Sequence, residues 1–178
     1  TSRRQRQMCI RDRVNASVSV EPPMFVDVVN VTSAADMADV VKSKAAEQDI
    51  IIMTAAVADF CPSHPADEKI KKNDSSYESV IELERTEDIL SYLGAHKANG
   101  QLICGFSMET QNMLENSKAK LAKKNADMIV ANNLKVAGAG FGTDTNVVTL
   151  ITADDCTELE IMDKSCVAAK IMDRLLQM

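Results

Sequence analysis

Lysine side chains and a run of small residues lie close together in the first half of the chain. The segment 54–60 is Thr-Ala-Ala-Val-Ala-Asp-Phe, and the segment 68–72, Glu-Lys-Ile-Lys-Lys, has three lysines within four positions. The mostly apolar segment 49–54 predicts a strand buried on both faces of a parallel sheet. Ligands bind at the carboxyl ends of the strands in open α/β sheets, and small side chains there let the backbone come close. The pattern indicates a nucleotide site with lysines on the phosphates.

The same residues also have simpler interpretations. From spacing alone, the lysines of 68–72 are equally well explained as a solvated run of charge. Asp59 can cap a turn. His64 and His96 stand apart from any acid or nucleophile at motif spacing, which favours surface histidines over general bases. The segment 138–142 is glycine-rich but opens no convincing helix, which argues against a phosphate-cradling loop.

Strands and helices are predicted to alternate along the chain, and these elements must position the site. We expect an α/β fold, a Rossmann-like three-layer αβα sandwich with a mostly parallel sheet and a late β-hairpin. Lys120 and Lys124 are four residues apart, which places them on one face of their helix. The predicted strands cover 25–31, 49–54, 78–84, 101–106 and 127–131; the helices cover 34–47 after the N-cap Ser33, a segment capped by Thr86, 112–124 and 164–177; the hairpin pairs 147–152 with 158–162.

Four motifs in a fixed order resemble a known family. They are Ala-Ala-Val-Ala-Asp-Phe at 55–60, Glu-Lys-Ile-Lys-Lys at 68–72, Gly-Phe-Ser-Met-Glu-Thr at 105–110, and Lys120 and Lys124 before Asn-Ala-Asp-Met-Ile-Val-Ala-Asn at 125–132. From about residue 22 to 178 the chain resembles phosphopantothenate–cysteine ligase, also called phosphopantothenoylcysteine synthetase. In many bacteria this ligase is the C-terminal domain of the bifunctional coenzyme A biosynthesis protein, whose N-terminal half is a flavin-dependent decarboxylase.

The resemblance implies a two-step reaction. The carboxylate of 4′-phosphopantothenate attacks the α-phosphate of CTP and releases pyrophosphate; the amine of cysteine then displaces CMP to give 4′-phosphopantothenoylcysteine. Bacterial ligases use CTP and eukaryotic relatives accept ATP, and the pattern here resembles the bacterial one. The resemblance also implies Mg²⁺, a homodimer, a cytoplasmic location, and FMN only if the parent protein carries the decarboxylase half. Neither a nucleic acid nor a membrane is an expected partner.

The resemblance also assigns roles to individual positions. Lys69 is the expected catalytic residue, Ala56 the expected contact to the acyl substrate, and residues 71–78 match a mobile flap. No metal ligand is assigned. By default Phe106 would be a core residue, and Lys120 and Lys124 would be a solvated helix face. The expected nucleotide-binding residues are Ala55, Asp59, Lys69, Glu87, Asp88, Ile89, Leu90, Phe106, Lys120 and Lys124.

Two further segments compare differently with the family. The family more often has Asn-Pro-Asp where Thr86-Glu87-Asp88 stands in this chain, so the local loop geometry is left open. Gly140, Phe141, Asp144 and Asn146 match a Gly-Phe-x-x-Asp-x-Asn segment of the family. We interpret that segment as organising the region before the hairpin, without a catalytic role.

Composition fits one compact domain preceded by a different leader. The 178 residues are 46% hydrophobic with a net charge of −6, and no apolar run approaches the length of a bilayer span. The five cysteines form no C-x-x-C pair, which favours reduced thiols over metal ligation. Residues 1–13 hold five arginines against one acid. We therefore expect a non-native or disordered basic leader over 1–21 and a ligase domain, incomplete at its N-terminus, over 22–178.

Other classes of function stay open at this point. A non-catalytic nucleotide-binding or regulatory relative would keep the sheet and lose the lysines, which are present here. An inactive fragment of a bifunctional decarboxylase/ligase is a second alternative, because the family's upstream Gly-rich turn and Asn/Ser-Ser-Gly segment do not precede residue 22. The decarboxylase half itself would need histidine and flavin motifs, and the sequence contains none.

Overall fold

The chain divides into two compact units. The computed structural model describes residues 10–16, 18, 20–66, 68–69, 80–109, 112–133, 140 and 142–178. The first unit comprises residues 1–41 and 56–88, and the second comprises 42–55 and 89–178. None of the described helices is long and apolar enough to cross a membrane.

Along the described residues the helices separate groups of one to five strands, so the alternation predicted from the sequence is only partial. The strands are β1 (Asp12–Asn15), β2 (Asp27–Asn30), β3 (Ile50–Met53), β4 (Phe60–Pro62), β5 (Leu83–Arg85), β6 (Leu102–Glu109), β7 (Met128–Asn133), β8 (Thr145–Asn146), β9 (Val148–Ile151), β10 (Cys156–Glu158) and β11 (Met162–Asp163). The helices are α1 (Ala34–Ala45), α2 (Ile89–Ala95), α3 (Met113–Lys123) and α4 (Lys164–Leu175).

A five-stranded sheet of order β10-β9-β7-β6-β3 forms the centre of the second unit. Strands β3, β6 and β7 are parallel, with Ile50 opposite Leu102 and Cys104 opposite Met128. Strand β9 runs antiparallel to β7, and β10 returns antiparallel to β9. The parallel strands therefore end together at one edge of the sheet, which is where an open α/β sheet binds ligands.

One face of this sheet packs against α4. Cys104, Met128, Val130, Val148 and Leu150 alternate along their strands and so point to the same side. They form a buried cluster with the α4 side chains Val167, Ile171 and Leu175. These three lie four residues apart, one face of a helix, which is why the last helix becomes the cover of this face.

The opposite face of the sheet packs against α2 and α3. A Cβ added to Gly105 of β6 would lie 2.7 Å from Leu90 Cδ2, so the Leu90 side chain of α2 packs directly on the glycine and would have to shift for any larger residue. Ser107 of β6 and Ser117 of α3 share a buried hydrogen bond of 2.7 Å. The second unit is thus a three-layer sandwich, and the predicted fold class is confirmed.

The 125–132 motif proves to be largely architectural. The Asp127 carboxylate accepts the Ile103 N–H at 2.7 Å and pairs with the Lys97 ammonium, while the Asp127 N–H donates to the Ile103 carbonyl. Asn125 has φ 48°, a left-handed conformation that asparagine tolerates, and its amide donates to the Gly94 carbonyl at 2.8 Å. The first half of the 125–132 motif therefore ends α3 and leads into β7.

The first unit contains two small sheets. Strand β1 pairs in parallel with β2, from Asp12 opposite Asp27 to Asn15 opposite Asn30. Strand β1 lies inside residues 1–21, the segment predicted to be a non-native or disordered leader, and its four residues belong to this ladder. Before α1, the Ser33 hydroxyl accepts the Asp36 N–H and the Asp36 carboxylate accepts the Ser33 N–H, a reciprocal cap that confirms the predicted N-cap.

The second small sheet of the first unit is a narrow ladder that we call the neck, made of β4 and β5. Cys61 lies opposite Glu84, and Phe60 lies opposite Arg85. At one end of the ladder the Thr86 hydroxyl donates to the Ala58 carbonyl. At the other end the Ser63 N–H donates to the Glu82 carbonyl at 3.0 Å. The neck therefore brings together the two ends of the segment that carries the 68–72 lysines.

Four predictions about individual elements are wrong in part. Strand β3 is not buried on both faces, because Ile52 is 36% exposed. The hairpin's second strand is β10, Cys156–Glu158, which lies earlier in the chain than the predicted 158–162, and Met162 instead pairs with Asn146 of β8. The strand predicted over 78–84 is β5, at 83–85. Thr86 does not cap α2, because its hydroxyl is bonded to Ala58.

Candidate nucleotide site

A cavity of about 450 Å³ opens at the carboxyl ends of β3, β6 and β7 in the second unit. The strands form its floor and the first turns of α4 form one wall. Most of its surface is apolar, with a few polar side chains at the strand ends, the usual make-up of a small-molecule site. The lining residues are Thr54, Phe106, Met108, Asn132, Gly140, Asn146, Lys164, Val167, Ala168 and Ile171.

Phe106 is the predicted site residue that lines this cavity. It is half-buried and packs against the cluster between the sheet and α4. The residue therefore packs against the core and also borders the cavity, and its contact with a nucleotide stays a prediction. An aromatic ring held in this way is suited to stack on a planar ligand.

Two asparagines provide a linked polar group in the cavity wall. The Asn146 amide nitrogen donates to the Asn132 side-chain oxygen at 2.8 Å, and the Asn146 side-chain oxygen accepts the Val147 N–H at 2.9 Å. Strands β8 and β11 pair Asn146 with Met162, and the Lys164 N–H donates to the Asp144 carbonyl. This short ladder ties the asparagine pair to the beginning of α4.

Lys120 reaches the same part of β6 from the other face of the sheet. Its ammonium group donates to the Phe106 carbonyl at 2.8 Å. Strand β3 ends with Met53 opposite Gly105, so Phe106 lies one residue beyond the last β3–β6 pair. The Lys120 ammonium group therefore donates to a β6 carbonyl at a position where β3 no longer pairs with β6.

Lys124 lies farther from the cavity, between the two helices of the opposite face. Its ammonium group donates to the Ser91 hydroxyl of α2 at 2.9 Å. Ile89 and Leu90, also predicted nucleotide contacts, are 4% and 9% exposed. Their side chains belong to the core, so a nucleotide would meet their backbone. The structure thus brings Lys120, Lys124 and the beginning of α2 to one face of the sheet and places the Phe106 ring on the other.

The remaining predicted residues are exposed. Ala55 and Ala56 follow β3 in the chain, and Glu87 and Asp88 precede α2. In the first unit, Asp59 lies directly before the neck, and its carbonyl accepts the Thr86 N–H at 3.0 Å. Lys69 is exposed, in the segment that the neck closes. Lys71, Lys72 and the rest of the predicted flap, 71–78, lie outside the described residues.

Comparison with known proteins gives the family. The profile of the DNA/pantothenate metabolism flavoprotein C-terminal domain matches residues 12–178. The chain belongs to this family. The match includes strand β1 and begins ten residues before the domain boundary predicted at residue 22.

Relatives and a solved structure agree with the family. The chain is 44% identical over 164 residues to the coenzyme A biosynthesis bifunctional protein CoaBC of Bacillus subtilis (strain 168), covering 91% of this chain and 40% of that protein. It is also 44% identical over 152 residues to a cysteine/cysteine sulfinic acid decarboxylase from an unknown prokaryotic organism, covering 85% and 42%. The chain thus spans about two fifths of these relatives. The crystal structure of a CoaBC C-terminal domain superposes with a TM-score of 0.76 at 39% identity, covering 93% of this chain and 74% of that one.

Asn132, Asn146, Lys164 and Thr54 line the cavity but were not predicted as site residues. Asn132 had a signal in the sequence: it follows the buried run Met128–Ala131, so it stands at the carboxyl end of a strand, where ligands of this fold class bind. Asn146 stood in a family motif without an assigned role. Lys164 had no signal, because the β8–β11 ladder that places it pairs only two residues on each strand.

The thiols nearest the motifs differ in environment. Cys104 lies in the core, where burial, and then the nearby Asp127 carboxylate, raises the pKa of its thiol to about 12. It is therefore a packing residue. Cys61 is half-buried in the neck, with its sulfur 3.9 Å from the Glu84 carboxylate. In the described part of the chain, no three His, Cys, Asp or Glu side chains lie close enough to hold a metal ion.

Proposed function

We propose that this chain is the nucleotide-binding and catalytic part of a CTP-dependent phosphopantothenate–cysteine ligase of coenzyme A biosynthesis. The observation that carries the proposal is the family match over residues 12–178, together with the 44% identity to a CoaBC protein. The cavity at the strand ends, bordered by Phe106, supports a nucleotide ligand. We place the reaction in the cytoplasm, with 4′-phosphopantothenate, cysteine and CTP as small-molecule partners.

The chemistry needs little proton transfer. In the first step a carboxylate oxygen of 4′-phosphopantothenate bonds to the α-phosphorus of CTP, and the bond to the β-phosphate oxygen breaks to release pyrophosphate. In the second, the amine of cysteine bonds to the acyl carbon, the bond to the phosphate oxygen of CMP breaks, and the amine proton passes to solvent. Negative charge builds up on phosphate oxygens in the first step, so fixed cations are the main requirement.

Lys69 is our candidate for that cation. It is exposed, and the neck holds the ends of its segment at fixed positions within the first unit. Lys120 and Lys124 already donate to protein acceptors, Phe106 and Ser91. They are suited to hold phosphate groups that displace those acceptors. Ala55, Ala56 and Asp59 are the further residues that the family resemblance assigns to the ligands.

Magnesium fits this site as a companion of the triphosphate. Mg²⁺ usually keeps several waters and binds through phosphates and one or two carboxylates, so an all-protein cage is not required. Among the predicted site residues, Asp59, Glu87 and Asp88 offer exposed carboxylates. When bound, the ion would neutralise charge on the phosphate oxygens. FMN belongs to the proposal only for a parent protein with a decarboxylase half.

Calorimetric titration of the 178-residue chain with nucleoside triphosphates and Mg²⁺ tests the proposal. We expect CTP to bind more tightly than ATP, GTP or UTP. Equal affinity for all four would contradict the choice of CTP, and no binding of any would contradict the nucleotide site. A chain extended with the upstream part of the Bacillus subtilis relative should release pyrophosphate only when both CTP and 4′-phosphopantothenate are present.

A further inference from the structure

The hydrogen bonds of the asparagine pair fix which way each amide faces. The Val147 N–H is a donor, so the Asn146 side-chain atom 2.9 Å from it must be the oxygen. The other end of the Asn146 amide is then the NH₂ group, 2.8 Å from the Asn132 side chain. That NH₂ group can only donate, so Asn132 faces it with its oxygen.

The Asn132 NH₂ group is consequently left for a ligand. Within the described residues it donates to no protein acceptor. Asn132 borders the cavity, together with Asn146. The Asn132 oxygen is turned toward Asn146, so the end of this amide that is turned away from Asn146 is the NH₂ group, a pure donor.

Both asparagines are held by their backbones as well. Asn132 pairs with Val148 between β7 and β9, and Asn146 pairs with Met162 between β8 and β11. Neither side chain needs to move to keep the 2.8 Å contact. The orientation is therefore part of the folded state before any ligand arrives.

We propose that Asn146 is a positioning residue that orients the Asn132 amide so that its NH₂ group faces the ligand, and that this selects a hydrogen-bond acceptor of the nucleotide at that place. The selection rests on the proposed nucleotide function; the positioning does not. Asn146 itself acts through Asn132 and is not a catalytic residue. The Gly-Phe-x-x-Asp-x-Asn segment thereby gains a role in the site.

A double-mutant cycle on CTP affinity tests the positioning role. Asn132→Ala and Asn146→Ala should each weaken CTP binding roughly fivefold, the effect of one neutral hydrogen bond. Because Asn146 acts through Asn132, the double variant should bind no more weakly than Asn132→Ala. Independent losses that multiply in the double variant would overturn the proposal, as would wild-type affinity in Asn146→Ala. Thermal unfolding of each variant shows whether a loss comes from the fold.

The conservative variant Asn146→Asp gives the sharper result. Its carboxylate still accepts the Val147 N–H but has no NH₂ group, so Asn132 should turn its own NH₂ toward Asp and its oxygen toward the ligand. CTP binding should then be weaker than in Asn146→Ala. The added charge also repels phosphate, and introducing the same change into the Asn132→Ala variant measures that repulsion alone. If the full effect persists there, the amide reversal is wrong.

Side-chain NMR of the ligand-free protein separates this proposal from the proposed function. With ¹⁵N-labelled asparagine, the NH₂ signals of Asn132 should shift in Asn146→Asp, because that group gains a carboxylate acceptor. Unchanged Asn132 signals would overturn the positioning role even if CTP binds. If wild-type protein binds no CTP while the signals shift as expected, the nucleotide function and the selection fail, and the positioning role stands.

Discussion

Among single side chains, the predicted lysines fall into two kinds. Lys120 and Lys124 have protein acceptors in this structure and are half-buried, whereas Lys69 is exposed. Removing Lys120 therefore takes a donor from the Phe106 carbonyl and affects the fold as well as the ligand. Lys69 allows a cleaner test of chemistry, because its removal leaves the core intact.

Lys69→Gln should slow the first chemical step. In a chain extended with the upstream part of the Bacillus subtilis relative, we expect roughly a hundredfold slower pyrophosphate release, the usual effect of one preorganised donor on a charged transition state. CTP affinity should fall less, because other groups also hold the phosphates. The control is Lys44→Gln, a lysine of α1 outside the predicted site. Normal pyrophosphate release by Lys69→Gln would leave the 68–72 lysines as a solvated charge run.

Cys104 should be the slowest thiol to react among the described cysteines. A thiol with a pKa raised to about 12 holds almost no thiolate at pH 8, and its reaction rate should keep rising with pH up to that value. Cys156 and Cys166 are exposed. Labelling with a chromogenic disulfide followed by peptide mapping should modify both before Cys104. Equally fast modification of Cys104 in the folded protein would contradict the buried environment.

Between elements, α2 packs closely against the end of α3. A Cβ added to Gly94 would lie 1.8 Å from the Lys124 carbonyl oxygen, a backbone atom with little freedom to move. Gly94→Ala should lower the free energy of unfolding by about 3 kcal/mol or more, as overpacking of a core contact does at its upper range. It should also weaken CTP binding if Lys124 contacts the nucleotide.

Gly100→Ala is the matched control for this contact. A Cβ there meets nothing within 4 Å, and only its φ of 81° opposes a side chain. We expect a cost of about 1 kcal/mol from that conformation. Urea unfolding of the two variants gives the comparison. Equal stabilities would mean that α2 and α3 can separate without penalty.

Much of this element arrangement could be predicted from the sequence. The helices over 34–45, 113–123 and 164–175 are confirmed because their apolar spacing is a local signal, and the first of them also has its predicted N-cap, Ser33. The neck and the β8–β11 ladder could not be predicted, because strands of two or three residues have no periodicity to detect. The ring of Phe106 lies on one face of the sheet, whereas its carbonyl accepts a hydrogen bond from Lys120 on the other face. This arrangement depends on the residue at which β3 ends, and no sequence motif indicates that residue.

For the molecule as a whole, we predict a homodimer through the β9–β10 hairpin. Strand β10 is at the edge of the five-stranded sheet, and all three of its residues are exposed. Ile161, just beyond it, is 52% exposed. An open strand edge beside an apolar side chain is commonly covered by another chain. Light scattering at tens of micromolar should give twice the monomer mass.

Ile161→Lys should shift that equilibrium toward monomer, with Ala169→Lys on the exposed surface of α4 as the control. The charge would have to be buried in the interface, whereas on the control face it stays in water. A folded wild-type protein that is monomeric at these concentrations would contradict the prediction. So would an Ile161→Lys variant with the same association as wild type.

An engineered disulfide could close the neck reversibly. Cys61 already stands directly across the ladder from Glu84, and antiparallel partners have Cα separations within the range that a disulfide spans. A Glu84→Cys substitution would create a crosslink that ties off the segment carrying Lys69 as a closed ring. Oxidised and reduced forms of one protein would then differ only in whether that ring can open at its base. Comparing the turnover rates of the oxidised and reduced forms would show whether the catalytic cycle requires β4 and β5 to separate.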